Sequence, residues 1–346
     1  MPSDLVINGQ TILPGTNILI DLPLPPLYTN TPMTMPVHII HGKKNGPRLF
    51  ISAAIHGDEL NGVEIIRRLL KDPALKRIKG TLIAIPIVNV YGIIHHSRYL
   101  PDRRDLNRSF PGSKKGALAS RIADLFMTEI VANSTHGIDL HTGAIHRSNL
   151  PQIRANLDDD VTLTLAKAFN VPVLINANFR DGSLRESAAE KGIPMLLYEG
   201  GEALRFDEIS IRGGVRGILN VMRHLGMIPS RKTRKAISKS PVIARSSSWV
   251  RAPGSGIFRT LKPLGSMVAK NELLGLISDP VSNLEIEVIS PFGGIIIGRS
   301  EIPLVHEGEA VYHIAKFEDS KQVAAQVENF HDDILPDTDE DEWAIV

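Results

Sequence analysis

From Pro47 to about His224, short runs of apolar and β-branched residues alternate with segments whose apolar residues recur at helical spacing. This alternation is typical of an α/β domain, in which helices cover a parallel or mixed sheet. We predict strands at 49–55, 81–88, 137–140, 171–175 and 195–198. We predict helices at 61–71, 117–131, 160–169 and 213–224. Ligands bind at the carboxyl ends of the strands in such sheets, so polar residues that follow these runs are the first functional candidates.

The amino-acid composition limits the kinds of functional site that the chain can form. The chain has 346 residues, 42% hydrophobic content and a formal net charge of +1, which indicates an ordinary globular protein of two domains. It contains no cysteine. A metal site must therefore use histidine and carboxylate ligands, and neither disulfides nor a thiolate nucleophile are available.

Several classes of partner are not expected. The short basic cluster at 231–235 lacks interleaved aromatic residues, so we read it as part of a linker and predict no nucleic-acid binding. No apolar run reaches the length of a membrane span, and the first residues lack the basic and apolar regions of a signal peptide. We expect a cytoplasmic protein that does not bind membranes.

The residue pattern of the sequence changes after about Ile228. We predict a catalytic domain at 1–228, a polar linker at 229–245, a β-domain at 246–318 and an acidic tail at 319–346. The segment 250–258 resembles 288–296, and this internal repeat predicts a small pseudo-symmetric β-barrel of the biotinyl/lipoyl hammerhead type. The turn between the halves, 280–285, has no lysine to carry a cofactor, which favours a lid or a self-association module and is compatible with a homo-oligomer.

The first candidate metal ligands are His56 and Glu59, three residues apart at the predicted junction of a strand and a helix. Zn²⁺ binds imidazole nitrogen and carboxylate oxygen, and a catalytic zinc site uses three protein ligands and leaves one position open. His141 follows the strand at 137–140 and is the candidate third ligand. Asp139 is a candidate acceptor for a ligand imidazole. A structural histidine hydrogen-bonded to the backbone is the alternative for His141.

Glu199 follows a strongly apolar run at 195–198. Burying its carboxylate costs free energy unless the carboxylate is paired with another group or has a role in a functional site. Beside a metal ion it could serve as the general base and acid of hydrolysis. The alternatives are a helix cap or an ion pair with an arginine. Glu202 competes for the same role but lies beyond two glycines.

The loop at 97–112 concentrates four arginines, and guanidinium groups can hold an anionic substrate and stabilise an oxyanion. A salt-bridged surface loop containing Asp102 and Asp105 is an equally good interpretation for Arg103 and Arg104. For Arg108, which precedes a stiff Ser-Phe-Pro-Gly turn, function is favoured.

Four motifs in this order resemble the succinylglutamate desuccinylase/aspartoacylase family of the zinc-carboxypeptidase superfamily: His-Gly-Asp-Glu at 56–59, Asp-Leu-Asn-Arg at 105–108, Asp-Leu-His-Thr-Gly at 139–143 and Glu-Gly-Gly at 199–201. The resemblance covers roughly the first two-thirds of the chain. It implies an α/β/α sandwich with a mixed sheet, and a C-terminal β-barrel that covers part of the active-site entrance.

The resemblance also implies roles for individual residues. One Zn²⁺ per chain would be held by His56, Glu59 and His141, with Glu199 as the general base. Asn107 and Arg108 would grip the substrate carboxylate, with Arg104 as a further substrate-binding candidate. Arg98 would polarise the scissile carbonyl, although Arg103 or Arg104 could replace it there.

These expectations indicate a zinc amidohydrolase that removes an N-acyl group from an amino acid or a related small amine. One alternative keeps the chemistry and changes the substrate to a peptide, as in a metallocarboxypeptidase or a deglutamylase. Another is a non-catalytic interaction module with a structural metal. The sequence does not identify the acyl group or the amine.

Overall fold

The computed structural model describes residues 4–230, 242–244, 246–282 and 284–335. In these ranges the strands of the N-terminal two-thirds are β1 (Leu5–Ile7), β2 (Gln10–Ile12), β3 (Asn17–Leu24), β4 (Met33–His41), β5 (Lys44–Ala53), β6 (Lys79–Ile85), β7 (His136–Gly143), β8 (Arg147–Ala155), β9 (Val173–Asn176) and β10 (Met195–Glu202). The strands that follow are β11 (Val242–Ala244), β12 (Ser246–Arg251), β13 (Gly256–Thr260), β14 (Met267–Val268), β15 (Leu273–Ser278), β16 (Glu285–Ile289), β17 (Gly294–Ser300), β18 (Leu304–Val305) and β19 (Ala310–Lys316).

The α-helices are α1 (Asn61–Leu69), α2 (Val90–Ile94), α3 (Leu118–Glu129), α4 (Asp160–Phe169), α5 (Leu184–Glu190), α6 (Glu208–His224) and α7 (Ser320–Ile334). Short 3₁₀ helices lie at Pro73–Arg77, Leu106–Arg108 and Val131–Asn133. Among the described residues, no helix combines the length and apolar character needed to cross a bilayer.

One large mixed sheet organises the molecule. Its strands follow the order β12-β19-β17-β8-β10-β7-β5-β6-β4-β3, with β9 and β14 attached beside β8 and β17. The central strands β10, β7, β5 and β6 are parallel to one another. Strand β8 runs antiparallel to β10, and from β8 the sheet continues through antiparallel strands into the C-terminal part of the chain.

Two apolar cores cover the two faces of the central sheet. Along β5, Leu49 and Ile51 contribute to one core and Phe50 to the other, as the alternation of side chains in a strand requires. Helices α1, α4 and α6 pack on the first face, and α3 and α5 on the second. This arrangement confirms the predicted α/β fold with a mixed sheet.

The predicted C-terminal barrel is not confirmed as a closed barrel. Strands β16, β15, β13 and β18 form a separate four-stranded sheet, whereas β12, β17 and β19 extend the large sheet. Side chains from both sheets share one apolar core that contains Phe258, Tyr312 and Ile296. We call the strands β12 to β19, residues 246–316, the C-terminal unit.

Part of the segment predicted as an acidic tail is a packed helix. In α7, Phe330 and Ile334 join the core beneath the large sheet, and Val323 and Val327 pack against β8, β9 and β17. The apolar residues recur at helical spacing, which the abundance of acidic residues obscured. The predicted linker core at 231–241 and the end of the tail at 336–346 lie outside the described residues.

Candidate active site

The candidate metal ligands meet at the carboxyl ends of neighbouring parallel strands. His56 and Glu59 lie in the turn between β5 and α1, and His141 lies in β7 beside β5. Gly57 lets this turn pack closely, since a Cβ there would lie 2.1 Å from the carbonyl carbon of Gly92. The sheet topology therefore joins two motifs that are more than eighty residues apart in sequence.

The three side chains form one buried cluster. Glu59 Oε1 lies 2.7 Å from His56 Nδ1, and Glu59 Oε2 lies 2.7 Å from His141 Nδ1. Their candidate ligand atoms all lie within 4.8 Å of one another. Two imidazole nitrogens and one carboxylate suit Zn²⁺, and three protein ligands are typical of a catalytic zinc site.

Two aspartates hold the outer nitrogens of the imidazoles. His141 Nε2 lies 2.7 Å from Asp139 Oδ2, as expected from the sequence, and His56 Nε2 lies 3.1 Å from Asp105 Oδ1. Ser52 Oγ donates to Asp139 Oδ1 at 2.7 Å. Carboxylates in these positions fix the orientation of the rings and leave both Nδ1 atoms turned toward Glu59.

The electrostatics of the cluster favour an anionic Glu59. Burial alone would raise the pKa of Glu59, but the two imidazoles outweigh it and hold that pKa well below its ordinary value. Burial likewise opposes a charge on His141, yet Asp139 and Glu59 raise the pKa of His141 well above its ordinary value. A cation that binds here would replace protons on the imidazoles.

Glu199 lies on β10 directly beside His141 in the parallel register of β10 and β7. Its Oε2 atom accepts hydrogen bonds from Asn149 Nδ2 at 2.9 Å and Gln152 Nε2 at 3.1 Å, and Arg154 Nη1 lies 3.4 Å away. All three donors therefore hold one oxygen of the carboxylate.

A register shift in β8 explains how these donors reach the same carboxylate. Glu199 pairs with Gln152 and Gly201 with Asn149, so three steps along β8 match two along β10. Without the shift, Asn149 and Gln152 would point to opposite faces of the sheet. A bulge of this kind beside a functional site re-aims a side chain.

Arg98 joins the cluster of His56, Glu59 and His141 to the arginine-rich loop. Its Nη1 donates to Glu59 Oε1 at 3.1 Å and its Nη2 to Asp105 Oδ2 at 3.0 Å. Asp105 Oδ1 also accepts from the backbone N–H of Asn107 at 2.8 Å. One carboxylate thus positions His56, Arg98 and the turn that carries the Asn-Arg pair.

Asn107 and Arg108 both line the cavity that contains His56, Glu59 and His141. Asn107 is buried, and its Oδ1 accepts from the backbone N–H of Leu184 at 2.9 Å. Arg108 donates through Nη1 to the backbone carbonyl of Asn107. The amide of Asn107 therefore also fastens the start of α5 to the cavity.

These side chains surround a cavity of about 480 Å³. Six arginines line it: Arg98, Arg108, Arg147, Arg154, Arg180 and Arg185. The C-terminal unit contributes Ser247, Trp249 and His313 to the same wall.

Comparison with known proteins agrees with this geometry. Residues 45–225 match the model of the succinylglutamate desuccinylase/aspartoacylase catalytic domain. This match spans more than half of the chain. The chain belongs to this family.

Three similar proteins are informative. An N-α-acetyl-L-2,4-diaminobutyric acid deacetylase of Halomonas elongata is 25% identical over 300 residues, which cover 83% of this chain and 86% of the relative. A succinylglutamate desuccinylase/aspartoacylase structure from Rhodobacter sphaeroides is 25% identical with a TM-score of 0.77, covering 87% of this chain and 95% of that one. The product-bound ectoine utilization protein of Ruegeria pomeroyi shares the fold at 23% identity and a TM-score of 0.77, covering 87% and 94%.

One residue proposed for substrate binding lies outside the cavity. The side chain of Arg104 is 63% exposed, with Nε 3.8 Å from Asp102 Oδ2, and it does not line the cavity. The exposed Arg103 has a positive φ of 62° and is also absent from the lining. Of the three arginines considered for the oxyanion, only Arg98 contacts the candidate metal ligands, through Glu59.

Sequence reasoning missed Arg185, which is buried on α5. Its Nη2 donates to the carbonyl of Asn178 at 2.6 Å, whereas its buried Nη1 has no hydrogen-bond acceptor in the described ranges. Burial first, and then Arg154, lower the pKa of Arg185 to about 10. The sequence does contain a signal that could have identified Arg185: it lies between Leu184 and Ala188, on the apolar side of a helix, where an arginine is unusual.

The donors on β8 and the wall formed by Trp249 and His313 were also missed. Strand β8 was not predicted, because Pro151, Gln152 and Arg154 interrupt its apolar pattern. Nothing local in the sequence of the C-terminal unit shows that three of its residues line the cavity.

Proposed function

We propose that this protein is a zinc-dependent amidohydrolase that removes an N-acyl group from an amino acid or a related small amine. The observation that carries this proposal is the buried cluster of His56, Glu59 and His141 beside Glu199 in a cavity lined by arginines. The family supports it, since the Halomonas relative is named as a deacetylase of an N-acetylated amino acid.

We propose that His56, Glu59 and His141 hold one Zn²⁺ through the donor atoms that face one another. The aspartates on the outer nitrogens of both imidazoles fit this role, because ligating histidines usually donate their second N–H to such a group. When bound, the ion would polarise the scissile carbonyl and lower the pKa of a water molecule.

Glu199 is the proposed general base. Its Oε2 is fixed by Asn149 and Gln152, which leaves Oε1 for the reacting proton. Oε1 takes a proton from the attacking water and later delivers it to the nitrogen of the leaving amine. A fixed carboxylate does not need to reorganise between these steps.

The arginines hold and polarise the substrate. Arg98, held by Glu59 and Asp105, is placed to stabilise negative charge that develops on the carbonyl oxygen. Asn107 and Arg108 are proposed to bind the substrate carboxylate. Arg185, with an unpaired N–H buried beside the cavity, is an additional proposed anion-binding group.

We also propose that residues 1–228 are the catalytic domain and 246–318 a barrel-like domain that narrows the entrance. Trp249 and His313 on the cavity wall support this arrangement. A walled cavity of about 480 Å³ favours a small molecule over a polypeptide tail.

The decisive experiment measures hydrolysis by zinc-loaded protein of a panel of N-acyl amino acids and of dipeptides with a free C-terminal carboxylate. We expect release of free amine from the N-acyl amino acids and slower release from peptides. Exchanging Glu199 for glutamine should lower kcat by about 10²- to 10⁴-fold, the usual contribution of a general base.

Glu202→Gln is the matched control. Glu202 lies three residues further on the same strand. Within the described part of the chain, its carboxylate forms ion pairs with His146 and Arg205, at 3.8 Å and 3.7 Å, so its exchange should leave kcat nearly unchanged. Hydrolysis of no panel member, or full activity in Glu199→Gln, would refute the proposal.

A further inference from the structure

A second cluster of arginines lies away from the active-site cavity, where α1 and α6 meet the end of α7. It lines a groove of about 290 Å³ that shares no lining residue with that cavity. Of the described residues that line the groove, only Asp333 is acidic. The others include four arginines, and we call this surface the arginine groove: Arg68, Arg212, Arg216 and Arg223.

Three of these arginines form a stripe along α6. Arg212, Arg216 and Arg223 are four and seven residues apart, so they share one face of the helix. From Arg212 to Arg223 the stripe is about 16 Å long, because each residue of an α-helix adds about 1.5 Å. The buried Leu219 and the half-buried Val215 lie between them and give the groove an apolar floor.

The arginines differ in how far their charge is already balanced. At one end of the stripe, Arg68 and Arg212 both form ion pairs with Glu208, at 2.7 Å and 2.5 Å. At the other end, Arg223 donates to the neutral Asn220 Oδ1 at 3.1 Å and has no acidic partner within the described ranges. This end of the groove therefore has positive charge to offer an anion.

Arg216 lies in the middle of the stripe and contacts α7. Its Cζ atom lies 4.9 Å from the centroid of the Phe330 ring, and in the described part of the chain its guanidinium forms no hydrogen bond or ion pair. Burial lowers the pKa of Arg216, although nearby Asp333 opposes this change. A further anion in the groove would reduce the cost of holding this charge away from water.

The end of α7 is fixed beside the arginine groove. Phe330 packs closely on α6, where a Cβ at Gly213 would lie 2.8 Å from Phe330 Cζ. Helix α7 ends at Ile334, which itself lines the groove, and the chain continues through Leu335. The next segment, 336–346, therefore begins at the edge of the groove.

The segment 336–346 has the chemistry that the arginine groove lacks. Its eleven residues include no lysine or arginine and five acids: Asp337, Asp339, Glu340, Asp341 and Glu342. They also include Trp343, which matches the apolar floor. Eleven residues can reach about 36 Å, which is more than the length of the stripe.

We propose that the acidic segment 336–346 binds along the arginine groove of its own chain and holds α7 on α6. Single surface ion pairs contribute little, but a short tether raises the effective concentration of the segment to the millimolar range. The inference does not depend on the proposed function, because the groove and the active-site cavity share no lining residue.

The anchored helix supports the strand that positions Glu199. Val323 and Val327 of α7 pack in one apolar cluster with Leu150 of β8. Leu150 lies between Asn149 and Gln152, the two donors that hold Glu199 Oε2. Binding of 336–346 should therefore stabilise a packed part of the fold rather than a surface helix alone.

The chain has no cysteine, so Ala344→Cys provides a single attachment point for a nitroxide spin label in the full-length protein. We expect the electron paramagnetic resonance spectrum to show a motionally restricted label at about 0.05 M salt. At about 1 M salt the label should become mobile, because the Debye length falls to about 3 Å. This salt series leaves every arginine of the groove unchanged.

Two variants of the labelled protein test the contacts. Arg223→Glu should lower the ratio of restricted to mobile label about fivefold at low salt, because it replaces an attraction with a repulsion. Replacing all five acids of the segment by their amides should remove the restricted component. Arg259→Glu is the matched control, since the side chain of Arg259 is 64% exposed and lies outside the groove, and it should leave the ratio unchanged.

A label that is already mobile at low salt would overturn the proposal. So would a ratio that stays the same in Arg223→Glu or in the amide variant. A restricted fraction that rises with protein concentration would show that the segment binds a second copy, which contradicts binding within one chain.

Thermal unfolding tests whether the bound segment stabilises α7. The amide variant should have a lower Tm than the unchanged protein at about 0.05 M salt, and the two values should converge at about 1 M salt. Equal Tm values at both salt concentrations would show that the segment does not anchor the helix.

Discussion

The inner and outer ends of the cavity are built in different ways. At the inner end, His56, Glu59 and His141 lie at the carboxyl ends of parallel strands, and each sits in a short motif. At the outer end, Trp249 and His313 lie within antiparallel strands of the C-terminal unit and reach the cavity only through the register of the sheet. The inner end is proposed to carry out the reaction, and the outer end to narrow the entrance.

This difference has a physical origin. A strand end in a parallel sheet turns its polar residues toward one edge, so local sequence fixes where they lie. Within an antiparallel strand, a one-residue change of register moves a side chain to the other face. The positions of the side chains at the outer end therefore depend on pairings that are distant in sequence.

Among the residues that position the proposed ligands and base, the largest effect should come from Asp139, which belongs to the inner end. Asp139→Ala removes the acceptor that orients His141 and should weaken zinc binding by about 10- to 100-fold. Zinc affinity measured by competition with a chelator checks this. Asp102→Ala changes a carboxylate outside the cluster and is the control, and equal affinities in the two variants would show that the outer hydrogen bond of His141 is dispensable.

A smaller effect is expected where the two ends meet. Gln152→Ala removes one of the donors that hold Glu199 Oε2 and should lower kcat roughly tenfold, the value of a hydrogen bond to a charged group. Zinc affinity should stay unchanged, and KM should change little. Gln326→Ala, on α7, is a control for loss of a buried glutamine amide outside the cavity. A variant with normal kcat but weakened zinc binding would assign Gln152 to the metal site instead.

The same contrast explains what the sequence could predict. The motifs around His56, His141 and Glu199 follow apolar runs that are readable as strands, and the parallel order of those strands brings the motifs together. Asn149 and Gln152 could not be assigned, because only the register shift between β8 and β10 turns both toward Glu199. The helix α7 was read as tail, because its core residues are spaced among acidic ones.

The smallest effect on activity, and a measurable one on stability, is expected for His313→Gln. The unfolded chain takes up a proton on this imidazole below a pH of about 6.5, whereas the folded protein does so only at a pKa of about 3. The charged group that acts on it is Arg154, which opposes a second positive charge. The unfolded state therefore binds more protons between these values, and the free energy of unfolding falls as pH decreases through this range.

Denaturant unfolding at pH 7 and pH 5 checks this prediction. The unchanged protein should lose about 2 kcal/mol more than His313→Gln over this interval, because each pH unit below the unfolded pKa costs about 1.4 kcal/mol. His306→Gln, which exchanges an exposed histidine of the same unit, is the control and should behave like the unchanged protein. Identical losses in all three proteins would mean that His313 is protonated in the folded state.

We propose that one metal ion held by His56, Glu59 and His141 makes this protein a deacylase. The direct measurement is a titration of chelator-treated protein with Zn²⁺ while the release of amine from an N-acyl amino acid is followed. We predict that activity is absent at the start and rises linearly to a plateau at one ion per chain, and that His141→Ala shows no such rise. Full activity before any Zn²⁺ is added, or the same titration curve in His141→Ala, would show that these residues do not hold an essential metal ion.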